Sequence, residues 1–244
     1  MANLLYDSLF GKHAGSTATF LHLPDGQTIS YDDFLRMAAR IANAVTEMGL
    51  EPGDRVAAQV AKSPQALALY AACVQAGLIF LPLNTAYTVD ELSYFIENSG
   101  AKLIVCDGGR QGDIAPMAAP LKAQVATLNA DGTGSLMERA SAAPDTFDTV
   151  SRGADDLAAF LYTSGTTGRS KGAMLTQNNL LSNTEVLVDH WRFTRDDVLL
   201  HALPIFHTHG LFVATNIILS VGGSMIFLPK FDQDHVIEWL PKAT

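Results

Sequence analysis

Four short apolar runs are the strongest constraint on the fold: RVAAQV (55–60), LIFLPL (78–83), AKLIVCD (101–107) and DLAAFLYT (156–163). Each is bounded by turn residues. Runs this uniformly apolar read as strands buried on both faces. Helical spacing fills the segments between the first three. Strands alternating with helices imply mostly parallel sheets with helices on their faces.

Local signals fix many element ends. Pro24-Asp25-Gly26 separates ATFLHL from QTISY and marks a hairpin turn. Ser30 is placed to cap a helix carrying apolar residues at Phe34, Met37, Ile41, Val45 and Met48, which stops at Gly49. Ser63-Pro64 opens the next helix and Gly77 closes it. Thr88-Val89-Asp90-Glu91 has capping-box spacing, and Gly100 ends that helix. Further along, TQNNLLSNTEVLVDHW reads as a helix, VLLHALP as a strand, THGLFVATNIILSVGG as an apolar helix, SMIFLP as a strand and DQDHVIEWL as a last helix. Residues 129–155 are softer, rich in Gly, Ser, Ala and Asp. The expectation is an α/β fold of two stacked α/β subdomains with mostly parallel sheets, 1–150 and 151–244.

Composition narrows the partners. A net charge of −9 argues against nucleic acid and acidic membranes as main partners. It leaves anionic small ligands open, because backbone dipoles bind phosphate without net positive charge. The first residues lack a basic n-region with a long apolar run, and no apolar stretch reaches membrane-spanning length. The expected setting is cytoplasmic. Cys73 and Cys106 both sit in apolar surroundings and read as buried thiols.

The stretch YTSGTTGRSKG (162–172) follows the fourth strand. A strand running into a Gly/Ser/Thr loop marks the usual ligand position of an α/β protein. Glycines let backbone N–H groups turn around an anion, hydroxyls add donors, and Arg169 and Lys171 supply charge. The stretch reads as a cradle for polyphosphate. It is not a Walker-type loop: counted from Gly165, the second glycine position holds Ser170, and Gly172 follows Lys171.

YTSGTTGRSKGAMLT resembles the phosphate-loop signature of the adenylate-forming acyl-CoA synthetase superfamily, with Ser170 where a proline is often found. LPIFHTHGLF is similar to that family's second signature, P-x-F-H-x-x-G. The upstream segments GDRVAAQVAKSPQALALYAACVQAG and LPLN fit the family as well, so the likeness spans the chain. Within the superfamily the motifs, together with LPLNTAYT and GSMIFLPKF, are most similar to malonyl-CoA synthetases. The resemblance implies the N-terminal part of the acyl-adenylate-forming synthetase fold. It also implies a ligase that uses ATP, Mg²⁺ and coenzyme A. Malonate attacks the α-phosphorus of ATP, and coenzyme A then displaces AMP.

The resemblance assigns the β- and γ-phosphates to Thr163, Ser164, Gly165, Thr166, Thr167, Gly168 and Lys171, with Thr163 also near the metal. It puts His207 at the acyl site. Malonate keeps a second carboxylate after activation and needs a donor-rich end rather than an aliphatic tunnel. Thr208 and His209 are candidates for that end, and histidine ionises near neutral pH. The alternative is that one of these histidines only caps the helix beginning near Thr208. His201, inside a strand, reads as a satisfied core histidine. His190 and Trp191 read as a helix end, and Asp232, Asp234 and Glu238 as a solvated helix face. Full members of the family carry a later Tyr-Gly-x-Thr-Glu segment, a ribose-binding Asp and a C-terminal domain with a catalytic Lys. None occurs in these 244 residues, so the expectation is an N-terminal portion without turnover of its own. Other acids of the same ligase class, and a non-catalytic nucleotide-binding module, remain open alternatives.

Overall fold

The computed structural model describes residues 2–163 and 170–244. Ser164, Gly165, Thr166, Thr167, Gly168 and Arg169, read above as part of the polyphosphate cradle, lie outside the described residues.

The strands are β1 (Thr19–His22), β2 (Thr28–Ser30), β3 (Arg55–Gln59), β4 (Ile79–Pro82), β5 (Leu103–Cys106), β6 (Gln124–Thr127), β7 (Leu157–Thr163), β8 (Lys171–Thr176), β9 (Val198–His201) and β10 (Ser224–Phe227). The helices are α1 (Leu4–Leu9), α2 (Tyr31–Glu47), α3 (Pro64–Gln75), α4 (Val89–Ser99), α5 (Gln111–Ala118), α6 (Ser135–Ala142), α7 (Gln177–Trp191), α8 (Asn216–Val221) and α9 (Gln233–Trp239). Among the described residues the strands form two sheets, β6-β5-β3-β4-β7-β8 and β2-β1-β10-β9. Both are mostly parallel; only the β7–β8 and β1–β2 pairs are antiparallel. Each sheet takes strands from both sides of residue 150, so the layers interleave in sequence.

The central strands explain their own apolarity. β4 and β5 are buried along their whole length. Side chains alternate between faces with period two. Val56, Phe80, Leu103 and Val105 join the larger core with α2 and α3. Ala57, Ile79, Leu81, Ile104 and Cys106 face Leu92, Phe95 and Ile96 of α4 and Ile114 of α5. Tyr70 of α3 is fully buried and packs on Phe10, Phe80 and Phe212, with ring centroids 5.8, 5.5 and 5.6 Å away. It couples the large sheet to the segment that leads into α8. Cys73 and Cys106 are free, buried thiols.

The expected caps are present. Ser30, Ser63 and Thr88 cap α2, α3 and α4, and Thr88–Glu91 forms a full capping box. Gly100 ends α4 in the left-handed region at φ 64°. KGAMLT, given no element from the sequence, is a strand, β8, that turns back antiparallel on β7. Two readings are corrected. The segment read as one helix from Thr208 is π-helical over His209–Thr215 and becomes α-helical only at Asn216. Asp232 is not merely part of a solvated face: its carboxylate accepts from the Asp234 and His235 amides and caps α9.

Residues 143–156 carry no helix or strand beyond the isolated bridge of Arg152 with Asn3. Side chains of the helices satisfy their carbonyls instead. Arg40 donates to Ala143 O at 2.8 Å, and Asn43 donates to Pro144 O and Thr146 O, both at 2.9 Å. Asn3 donates to Val150 O at 2.9 Å. The softer stretch is thereby strapped across α2 and α3. No helix among the described residues is long and apolar enough to cross a membrane.

Candidate functional site

Strand ends of both sheets meet around a cavity of about 740 Å³. Its walls include Gln59 and Lys62 after β3, Thr85 after β4, and Asp107 and Arg110 after β5. Ala202, Pro204, Ile205 and Phe206 follow β9, and Pro229 to Phe231 follow β10. This is the crevice outside the carboxyl ends of parallel strands, where α/β folds bind ligands. Arg110 and Lys230 supply positive charge against one carboxylate, Asp107, and Lys62 adds a buried amine. The chain is acidic overall, yet this concavity is locally suited to an anion.

Arg110 is locked rather than loose. Its Nη1 donates to Gln59 Oε1 at 2.8 Å, Tyr87 O at 2.9 Å and Thr85 O at 3.3 Å. Gln59, itself buried, donates to Asn84 O and Tyr87 O. The 84–87 turn is thus held by two side chains, one ending β3 and one in the turn after β5.

A second cavity, of about 370 Å³, is lined by Leu203, Pro204, His207, Thr208, His209 and Gly210. Pro204 lines both cavities, so the 203–210 segment is the partition between them. Phe206 faces the large side and His207 the small side, with their rings 4.7 Å apart. His207, Thr208 and His209 are exposed. Neither imidazole makes a side-chain hydrogen bond among the described residues, and Thr208 makes no side-chain cap. All three polar side chains are therefore available to a ligand.

Behind the partition lies a buried polar chain. His201 is 1% exposed and Lys62 9% exposed. His201 Nε2 is 2.8 Å from Gly210 O, which can only accept, so Nε2 carries the proton. Nδ1 is then an acceptor, and Lys62 Nζ donates to it at 2.7 Å and to His201 O at 2.7 Å. Nζ also sits 4.3 Å from the centre of the Phe227 ring. Thr215 Oγ1 donates to Gly210 O at 2.9 Å. Burial pushes Lys62 down to about 6. Burial, and then the neighbouring Lys62 charge, push His201 down to about 3. His201 is the satisfied core histidine expected; Lys62 is a site residue that motif reading passed over.

Thr163 ends β7 and Lys171 opens β8, on either side of the glycine-rich stretch. They face each other in the β7–β8 register. Both are exposed, and Thr163 Oγ1 lies 3.5 Å from Lys171 O. Helix α4 braces β7 and the residue just before β8. Tyr162 Oη donates to Asn98 Oδ1 at 2.7 Å, and Tyr94 Oη donates to Ser170 O at 2.8 Å. No cluster of three or more His, Cys, Asp or Glu among the described residues could hold a metal ion.

Comparison with known proteins gives a consistent picture. The model of the family described as AMP-binding enzyme matches residues 10–243. A feruloyl-CoA synthase of an Amycolatopsis species is 34% identical over 212 residues, which are 87% of this chain and 41% of the relative. A mitochondrial malonate–CoA ligase of Xenopus laevis is 33% identical over 158 residues, 64% of this chain and 27% of the relative. Crystal structures of MatB from Rhodopseudomonas palustris, apo and ATP-bound, superpose with TM-scores of 0.95 at 54% and 55% identity. They cover 100% of this chain and 48% of MatB. The chain thus spans less than half the length of these relatives. The fold is that of the N-terminal domain of acyl-adenylate-forming synthetases.

Proposed function

The chain belongs to the AMP-binding enzyme family, and from that premise we propose that it forms the N-terminal portion of a malonyl-CoA synthetase. The reaction joins malonate to coenzyme A at the expense of ATP. In the first half a malonate oxygen attacks the α-phosphorus, and pyrophosphate leaves. In the second the coenzyme A sulfur attacks the acyl carbon, and AMP leaves.

The single observation that carries the choice of acid is the small cavity. A pocket of about 370 Å³ lined by two imidazoles and a hydroxyl suits a short dicarboxylate. A long aliphatic acid would leave those donors without partners. His207 faces the activated carboxyl, while Thr208 and His209 hold the distal carboxylate. The likeness to the malonate–CoA ligase and to ATP-bound MatB supports the same reading.

The nucleotide side rests on the β7–β8 hairpin. Thr163, Ser164, Gly165, Thr166, Thr167, Gly168 and Lys171 cradle the β- and γ-phosphates of MgATP. The first step brings a carboxylate against a polyanion, so much of the barrier is electrostatic repulsion. Positioned donors and the Lys171 ammonium lower it.

The test is acid-dependent ATP–pyrophosphate exchange by the intact protein with malonate, methylmalonate, acetate and ferulate. Malonate is expected to give a kcat/KM at least about tenfold above acetate and ferulate. Preference for ferulate would reassign the site to aryl acids. Nucleotide binding by calorimetry without exchange for any acid would make the protein a binding module instead.

A further inference from the structure

We propose that Lys62 and His201 are positioning residues for the acid site: together they set the 203–210 partition from behind. This inference rests on the acid-site reading above and goes beyond it. Neither side chain lines the small cavity. They act on it through Gly210.

Three observations converge. The first is connectivity. Lys62 follows β3 of the six-stranded sheet, and His201 ends β9 of the four-stranded sheet. The 2.7 Å bond between them is a polar tie across the two sheets. The second is saturation. Lys62 Nζ meets an imidazole nitrogen, a carbonyl and an aromatic face, and it forms no ion pair among the described residues. A buried amine without a carboxylate is expensive to maintain. Here its donors are used up on one target, the His201 residue. The third is the endpoint. His201 Nε2 and Thr215 Oγ1 both converge on Gly210 O. Gly210 terminates the His207-Thr208-His209 run, and Leu211 N closes a turn back to His207 O at 3.0 Å. Fixing the Gly210 carbonyl therefore fixes the turn that presents both imidazoles.

Lysine also selects the ring state. Because an amine or ammonium donates to Nδ1, His201 is held with its proton on Nε2, where Gly210 needs it. Loss of Lys62 leaves Nδ1 bare in an apolar wall and frees the ring to reverse its tautomer. The nucleotide hairpin lies at the edge of the six-stranded sheet, separated from β3 by β4, and makes no hydrogen bond with Lys62 or His201 among the described residues. The effect therefore falls on the acid rather than on ATP.

The test uses the intact protein. Lys62→Met and His201→Ala are expected to raise KM for the acid by about tenfold or more, with KM for ATP changed by less than about twofold. His201→Gln, which keeps a donor toward Gly210 O, recovers part of the loss. In the wild type, long-range proton–nitrogen spectra are expected to show His201 as the Nε2–H tautomer. Hydrogen exchange at the Leu211 amide speeds up in Lys62→Met. An Nδ1–H tautomer, an unchanged Leu211 amide, or equal rises in both KM values would overturn the inference. A wild type without acid-dependent exchange removes the functional reading alone, since tautomer and amide exchange still decide the positioning role. If Lys62→Met fails to fold, His201→Gln and the wild-type tautomer decide it.

Discussion

Gly210 packs against Pro204 so closely that a Cβ at Gly210 would collide with the Pro204 carbonyl oxygen and stand 2.8 Å from the carbonyl carbon. The obstacle is backbone, so no side chain can swing away. Gly210→Ala is expected to cost about 3 kcal/mol, the upper end of the range for overpacking. Urea unfolding measures it. The same change should push the partition into one of its cavities and abolish acid-dependent exchange. A variant with wild-type stability and activity would show that the 203–210 turn is far softer than its packing implies.

Burial of Lys62 links stability to pH. Its folded value is pushed down to about 6, against 10.5 for the ordinary side chain. Between those values the unfolded chain carries a proton that the folded chain lacks. Stability therefore rises with pH across this window, by at most about 1.4 kcal/mol per pH unit, and the contribution levels off below about pH 6. His201, held down to about 3, adds the same sense at lower pH: stability is lost as pH falls from 6.5 towards 3. Other charges on the cavity wall, Asp107, Arg110 and Lys230, are common to both proteins in a comparison of wild type with Lys62→Met. Urea midpoints at pH 6.5, 7.5 and 8.5 should climb for the wild type and stay flatter for the variant. Parallel curves would mean that Lys62 stays charged at neutral pH.

Arg110 holds the floor of the large cavity. Removing its guanidinium in Arg110→Ala leaves the buried Gln59 Oε1 without its donor and releases the 84–87 turn. A cost of about 1–3 kcal/mol is expected, as for one unsatisfied buried acceptor. Thermal unfolding reads the stability change. Faster amide exchange at Tyr87, whose N–H bonds to Asn84 O, reads the loosened turn. Stability within a few tenths of the wild type would mean that solvent replaces Arg110 without loss.

The strands buried on both faces and the capped helices were legible because each carries its own local signal. Thr88 and Glu91 close a box within four residues, and Ser63-Pro64 needs no distant partner to open a helix. What tertiary contact creates was not legible. β8 contains Gly, Ala and Met, mostly exposed, and is a strand because β7 pairs with it. Helices α1 and α6 are 6 and 8 residues long, too short for periodicity to register. His207, Thr208 and His209 line one cavity because they are consecutive on one turn. Lys62 escaped notice as the residue before a helix cap. Its signal was present all the same: a single charge in VAAQVAKSPQALALYAAC, between a buried strand and a buried helix. Arg110, in the short turn Gly108–Arg110 after β5, belongs to no motif that marks it from sequence.

Tyr94 offers a separate handle on the nucleotide side. Its hydroxyl donates to Ser170 O at 2.8 Å, one residue before Lys171 enters β8. The ring packs on Phe95 and Tyr162, with centroids 5.6 and 6.2 Å away. Tyr94→Phe keeps the ring and removes the hydroxyl. The ring packing carries most of the folding energy, so stability should fall by only about 1 kcal/mol, the usual worth of one hydrogen bond. Ser170, however, is the point from which Lys171 is aimed. An untethered carbonyl there lets the ammonium wander, and a charge that wanders binds a polyphosphate less well. KM for ATP is expected to rise about three- to tenfold while KM for the acid stays put, the reverse of the pattern expected for Lys62→Met. Steady-state exchange kinetics with each substrate varied in turn distinguishes the two. Should Tyr94→Phe move the acid KM instead, the assignment of the β7–β8 hairpin to the nucleotide would have to be given up.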